Sequence, residues 1–162
     1  IGDFHSALVT SGEQEMAWRI GDHGFDIALS GYVPKILGAN IRDFVEPALA
    51  RSGVGLRDVG TWAVHPGGKA IIDQVQASLA LRPEQVGASR EVLRDYGNMS
   101  SATILFVLRE ILHRPSPGTV DNVCAMAFGP GLTVEMALLE TLGSRAGSAA
   151  DPAVGMIPEK IA

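Results

Sequence analysis

Residues Gly60-Thr61-Trp62-Ala63-Val64-His65-Pro66-Gly67-Gly68 read as a short buried strand that stops at His65 and turns into a helical stretch running through Leu79. A strand feeding a helix through a Pro-Gly-Gly turn is the local signature of an α/β fold. The surrounding sequence repeats the alternation. Upstream, Phe4–Thr10 is a strand candidate ended by the polar Ser11–Glu15, and Phe25–Ser30 alternates apolar and polar residues up to Gly31. Pro34 suits a first helical position, and Ile36, Leu37, Ile41, Phe44, Val45, Ala48 and Leu49 recur at spacings of three and four until Gly53. Pro47 falls inside that helix and removes a backbone donor, so a kink or break is expected there.

Downstream, a helix is expected over Ala88–Asp95, and Tyr96–Ser101 leads into the apolar helix Ala102–Leu112. Pro115–Gly118 reads as a loop. Val120–Phe128 and Leu132–Leu139 are apolar runs separated by Gly129-Pro130-Gly131, the pattern of two buried strands joined by a tight turn. The Gly-, Ser-, Ala- and Pro-rich residues 143–162 have no periodicity, so the chain divides into a globular unit over 1–142 and a low-complexity tail.

The 162 residues are 46% hydrophobic, enough to bury one substantial core. Thirteen Lys and Arg against eighteen Asp and Glu give a net charge of −5 without a basic block, which argues against a general nucleic-acid or anionic-membrane partner. No apolar run reaches the roughly twenty residues that span a bilayer. One cysteine, Cys124, excludes an internal disulfide framework. The scattered His5, His23, His65 and His113 form no zinc-site spacing, so no metal is expected. The chain opens on Ile1 without the charged and apolar regions of a signal peptide, and a reducing cytoplasm is the expected location.

His65 is the first candidate for chemistry, since it lies where a strand ends beside glycines that let a ligand approach the backbone. A satisfied structural histidine is the competing reading. Asn98, between Gly97 and the next helix, either caps that helix or donates its amide to an oxyanion. A His and an Asn converging on one oxygen would stabilise an enolate or a tetrahedral anion. Cys124 lies in an apolar run and reads as a small buried hydrophobe. The Gly129–Gly131 segment lacks the pattern of a phosphate loop and reads as a turn.

Taken together, Trp62-Ala63-Val64-His65-Pro66-Gly67-Gly68, Tyr96-Gly97-Asn98-Met99-Ser100-Ser101-Ala102 and Phe128-Gly129-Pro130-Gly131-Leu132-Thr133-Val134-Glu135 resemble the C-terminal half of the type III polyketide synthases, the chalcone and stilbene synthase family. The resemblance spans about residues 20–140 in matching order and intervals. It implies a thiolase-like layered α-β-α-β-α fold, of which this chain is the C-terminal half with a mixed five-stranded sheet. It also implies decarboxylative Claisen condensation of malonyl-CoA onto an acyl-CoA starter, followed by cyclisation, in a homodimer that needs no cofactor beyond its CoA thioesters.

The family's active-site His and Asn match His65 and Asn98, while its nucleophilic Cys belongs to the N-terminal half and is not Cys124. Gly67, Gly68 and Ala70 match positions beside the CoA tunnel. Ser100, Phe128, Gly129, Pro130 and Gly131 match the border of the elongation cavity, as do Trp18 and Ile27 when the alignment is counted back without gaps from Val33-Pro34. A bulky Trp18 would restrict cavity volume and so favour a product unlike a plant chalcone. Lys69, in place of a frequent Pro, and Ala127, in place of a frequent Gly, depart from the common pattern. A ketoacyl-synthase-III-like enzyme, or a non-catalytic interaction module, are the alternatives; the isolated 162 residues lack a nucleophile and are expected to be inactive.

Overall fold

The computed structural model describes residues 2–114 and 121–141. The expected loop over 115–118 and the tail over 143–162 lie outside the described residues. Strand β1 (Phe4–Leu8) is followed by a hairpin, β2 (Met16–Gly21) and β3 (Gly24–Leu29), and by helix α1 (Val33–Arg51). Then come β4 (Val59–Val64), α2 (Lys69–Leu79), α3 (Gly87–Tyr96), α4 (Thr103–His113), β5 (Asp121–Gly129) and β6 (Thr133–Thr141). The main sheet runs β1-β6-β5-β4; β4 and β5 are parallel, and the other two pairings are antiparallel.

Side chains alternate across this sheet and so build two cores. Trp62 and Val64 of β4, with Cys124 and Met126 of β5, pack towards α1 and α2. Ala63, Val123 and Ala125 point the other way, against Ala88 and Val92 of α3 and Val107 and Ile111 of α4. The result is an α-β-α sandwich, three layers of the expected fold. Each fully buried Leu, Ile or Val contributes about 1.5–3 kcal/mol, and Leu37, Ile41, Val45 and Leu49 of α1 meet Ile72, Val75 and Leu79 of α2 in the larger core.

The described residues form a four-stranded sheet, not the five-stranded one expected from the resemblance. Among the described residues no fifth strand covers the outer edge of β4; side chains do. Gln85 Nε2 donates to the Val59 carbonyl at 2.9 Å, and Ser89 Oγ accepts the Val64 N–H at 3.0 Å. Two of the backbone groups that a neighbouring strand would pair are thereby satisfied. The hairpin forms a separate two-stranded sheet. Its first strand, β2, is an element the sequence patterns above do not predict.

Helix α1 also runs on through Pro47 without the expected break. Pro47 and Asp43, the residue whose carbonyl loses its donor, are both exposed, so water can take that carbonyl. Buried Val45, Ala48 and Leu49 hold the helix to the core on either side of the proline. The turn from β5 to β6 is tight as expected, with Gly131 at φ +114°, a conformation other residues rarely adopt.

Candidate active site

His65 follows β4 directly, and its backbone N–H still pairs with the Met126 carbonyl of β5 at 2.8 Å. The sheet therefore fixes the Cα from which the imidazole departs. The Gly67 N–H donates back to the His65 carbonyl at 3.0 Å and tightens the turn, and α2 begins at Lys69. The ring is half-buried, and desolvation lowers its pKa from the ordinary 6.5. It is neutral at pH 7, with one ring N–H to donate and one lone pair to accept.

Asn98 is delivered by α3, which ends at Tyr96 before Gly97 turns the chain at φ +71°. Its Oδ1 accepts the Ser100 N–H at 2.9 Å, and its Nδ2 donates to the Gly67 carbonyl at 3.1 Å. The cap-like bond and the donor role thus reside on the same side chain. Because the oxygen faces a backbone N–H, the amide nitrogen must face the loop that follows His65. Its second N–H has no partner among the described residues. Buried Thr103 stiffens this turn by accepting the Met99 N–H and donating to the Ser100 carbonyl, both at 2.8 Å.

His65 and Asn98 open on one cavity of about 280 Å³. Gly67, Gly68 and Ala70 form one wall, while Met16, Leu29, Val33, Pro34, Ile71 and Phe128 make the remainder largely apolar. An apolar chamber with a few convergent polar groups is the usual form of a small-molecule site, and its low polarity strengthens any hydrogen bond made within it. Behind the site, Arg90 joins α3 to α2 through Asp73 at 2.8 Å and Gln76 at 2.6 Å. Hydrogen bonds from Lys69 and then Arg90 hold the Asp73 carboxyl below its ordinary pKa.

Of the residues expected here, His65, Asn98, Gly67, Gly68, Ala70 and Phe128 come together. Trp18, Ile27, Ser100, Gly129, Pro130 and Gly131 are not among the cavity walls of the described chain. Trp18 and Ile27 oppose each other across the hairpin, one same-face pair beyond Met16 and Leu29, which do line the cavity. Ser100 is engaged in the Asn98 turn. The Gly131 N–H donates to the Met16 carbonyl at 2.8 Å, so that turn supports the strand presenting Met16. Met16 and Leu29 were missed as wall residues because β2 was missed. The signal was present: Met16, Trp18 and Ile20 mirror Leu29, Ile27 and Phe25 about Asp22-His23.

Cys124 is fully buried in β5, and burial pushes its thiol up to about 12. A thiolate is therefore negligible there at neutral pH, as its reading as a packed hydrophobe requires.

A sandwich carrying an imidazole and an oriented amide at one apolar cavity is an α/β domain of the thiolase-like fold class. Residues 4–143 match the pattern of chalcone and stilbene synthases, C-terminal domain, and the chain belongs to that type III polyketide synthase family. Among its relatives is a bisdemethoxycurcumin synthase of Oryza sativa subsp. japonica, 37% identical over 141 residues that cover 82% of this chain and 35% of that protein. The crystal structure of PKS-I from the brown alga Ectocarpus siliculosus is similar with a TM-score of 0.73 and 33% identity, over 84% of this chain and 38% of that one. The chain spans little more than a third of the length of these two relatives.

Proposed function

We propose that this chain is the C-terminal half of a polyketide synthase that condenses malonyl-CoA with an acyl-CoA starter, using no resident metal or organic cofactor. The observation that carries the reading is the shared cavity of His65 and Asn98, with the Asn98 amide oriented by bonds at both its ends. In the proposed step, the malonyl C–C bond breaks, CO₂ leaves, and the electron pair delocalises onto the thioester oxygen as an enolate. The His65 ring N–H and the unpaired Asn98 N–H donate to that oxygen. The enolate carbon then attacks the carbonyl of an acyl group held on a cysteine of the N-terminal half, and the cysteine departs as a thiolate.

A neutral imidazole is sufficient as donor for decarboxylation. A cysteine thiolate beside His65 would raise the ring's pKa and favour a thiolate–imidazolium pair, opposing the desolvation that otherwise holds the ring neutral. Gly67, Gly68 and Ala70 then border the entry of the CoA arm. In support, a Cβ on Gly68 would meet nothing within 4 Å and one on Gly67 only ordinary contacts, so neither glycine is demanded by packing. Both glycines line the cavity.

The test is product formation by the full-length polypeptide that carries this chain, supplied with acyl-CoA starters and malonyl-CoA. Wild type is expected to release CoA and form pyrone or aromatic products, with His65→Ala and Asn98→Ala each slowed by about 10²–10³-fold. Products formed at the wild-type rate by either variant would remove that residue from the chemistry.

A further inference from the structure

We propose that Ser89 is the positioning residue that fixes His65 relative to Asn98. The inference rests on the catalytic reading of those two residues. Val64 and His65 are consecutive at the end of β4, and their N–H groups point to opposite sides: that of His65 to the Met126 carbonyl on β5 at 2.8 Å, that of Val64 to Ser89 Oγ at 3.0 Å. The backbone at the base of the imidazole is therefore held from both edges, once by a strand and once by a single hydroxyl.

Ser89 is 0% exposed, so water cannot replace it and its loss leaves a buried N–H unpaired. Gln85, one helical turn earlier, holds the other end of β4 through the Val59 carbonyl. Ser89 is the contact nearer the site. It also lies on α3, the helix that delivers Asn98 just beyond its C-terminus, so one side chain ties the strand bearing His65 to the helix leading to Asn98. Both donors must aim at the same oxygen, and a displacement of about 1 Å in such a pair can cost 10²-fold in rate.

The full-length polypeptide carrying Ser89→Ala, the isosteric Ser89→Cys, whose sulfur is a weak acceptor, and Ser89→Thr tests this. The readouts are kcat and KM for malonyl-CoA decarboxylation per folded molecule, and amide hydrogen exchange at Val64. Ser89→Ala is expected to lower kcat by about tenfold or more with KM within about twofold, Ser89→Cys to lie between it and wild type, and Ser89→Thr to recover most of the loss. Exchange at Val64 should rise in Ser89→Ala and Ser89→Cys while Val123–Met126 of β5 keep their protection. If Ser89→Ala does not fold, Ser89→Cys carries the test. Wild-type kcat in a folded Ser89→Cys or Ser89→Ala, or a Ser89→Thr as slow as Ser89→Ala, overturns the assignment while His65→Ala stays slowed by about 10²-fold or more. A His65→Ala that decarboxylates at the wild-type rate overturns the catalytic reading and the inference with it.

Discussion

At the residue scale, His65 couples the site to pH. Its folded-state pKa lies below the ordinary 6.5, so the folded chain binds fewer protons than the unfolded one as pH falls past that value. The stability associated with its neutral ring is present above pH 6.5 and is lost as pH falls through the lowered folded pKa. Urea unfolding between pH 7.5 and 5 of the full-length polypeptide with its nucleophilic cysteine replaced by alanine, which removes the thiolate that would oppose desolvation, should therefore show stability falling with acid, and His65→Gln should flatten part of that fall. An unchanged slope would mean that the ring is not desolvated. Gly68 supplies a complementary prediction. Its φ of 177° is ordinary extended backbone and nothing opposes a Cβ, so Gly68→Ala should change stability by only about 0.5 kcal/mol. The methyl group would nonetheless project into the space assigned to the CoA arm, so KM for the CoA ester should rise; an unchanged KM would place the arm elsewhere.

At the element scale, the strand-turn-helix from Gly60 to Leu79 was legible because each signal agrees with its neighbours: an apolar run, Pro-Gly-Gly, then helical spacing. Boundaries there fell within a residue or so. The hairpin was harder to read, because Met16–Gly21 includes Arg19 and follows a polar segment, and its apolar side is largely exposed rather than packed in this chain's core. The edge of β4 could not be read at all, since Gln85 and Ser89 look like surface helix residues until the strand beneath them is known. His65 and Asn98 were legible as a pair through their motifs, whereas the Met16 and Leu29 walls depended on a pairing register that no motif marks. The β5–β6 turn supports the hairpin, which yields a further prediction. Gly131→Ala meets both a positive φ and the Leu8 side chain, where its Cβ would lie 3.2 Å from Cδ1, and should cost about 1–3 kcal/mol. Because the Gly131 N–H holds Met16, the variant should also alter the product distribution, as read by chromatography of the reaction mixture.

At the scale of the whole molecule, the chain is three layers with open apolar surface on several sides. Trp18, Ile20, Phe25 and Ile27 of the hairpin and Leu105 and Leu112 of α4 are exposed large hydrophobics, a pattern unusual for a free-standing domain. No helix among the described residues is long and apolar enough to cross a membrane. Since the chain spans little more than a third of its relatives' length, the proposed activity belongs to the full-length polypeptide, and the 162 residues alone, without the cysteine that holds the acyl group, should form no condensation product. The central claim is that His65 and Asn98 together stabilise the enolate. The most direct measurement is CO₂ release from malonyl-CoA by the full-length polypeptide without a starter, which isolates decarboxylation from condensation. The account predicts steady release by wild type and a loss of about 3–4 kcal/mol of transition-state stabilisation in each of His65→Ala and Asn98→Ala. Release at the wild-type rate from either variant would contradict it.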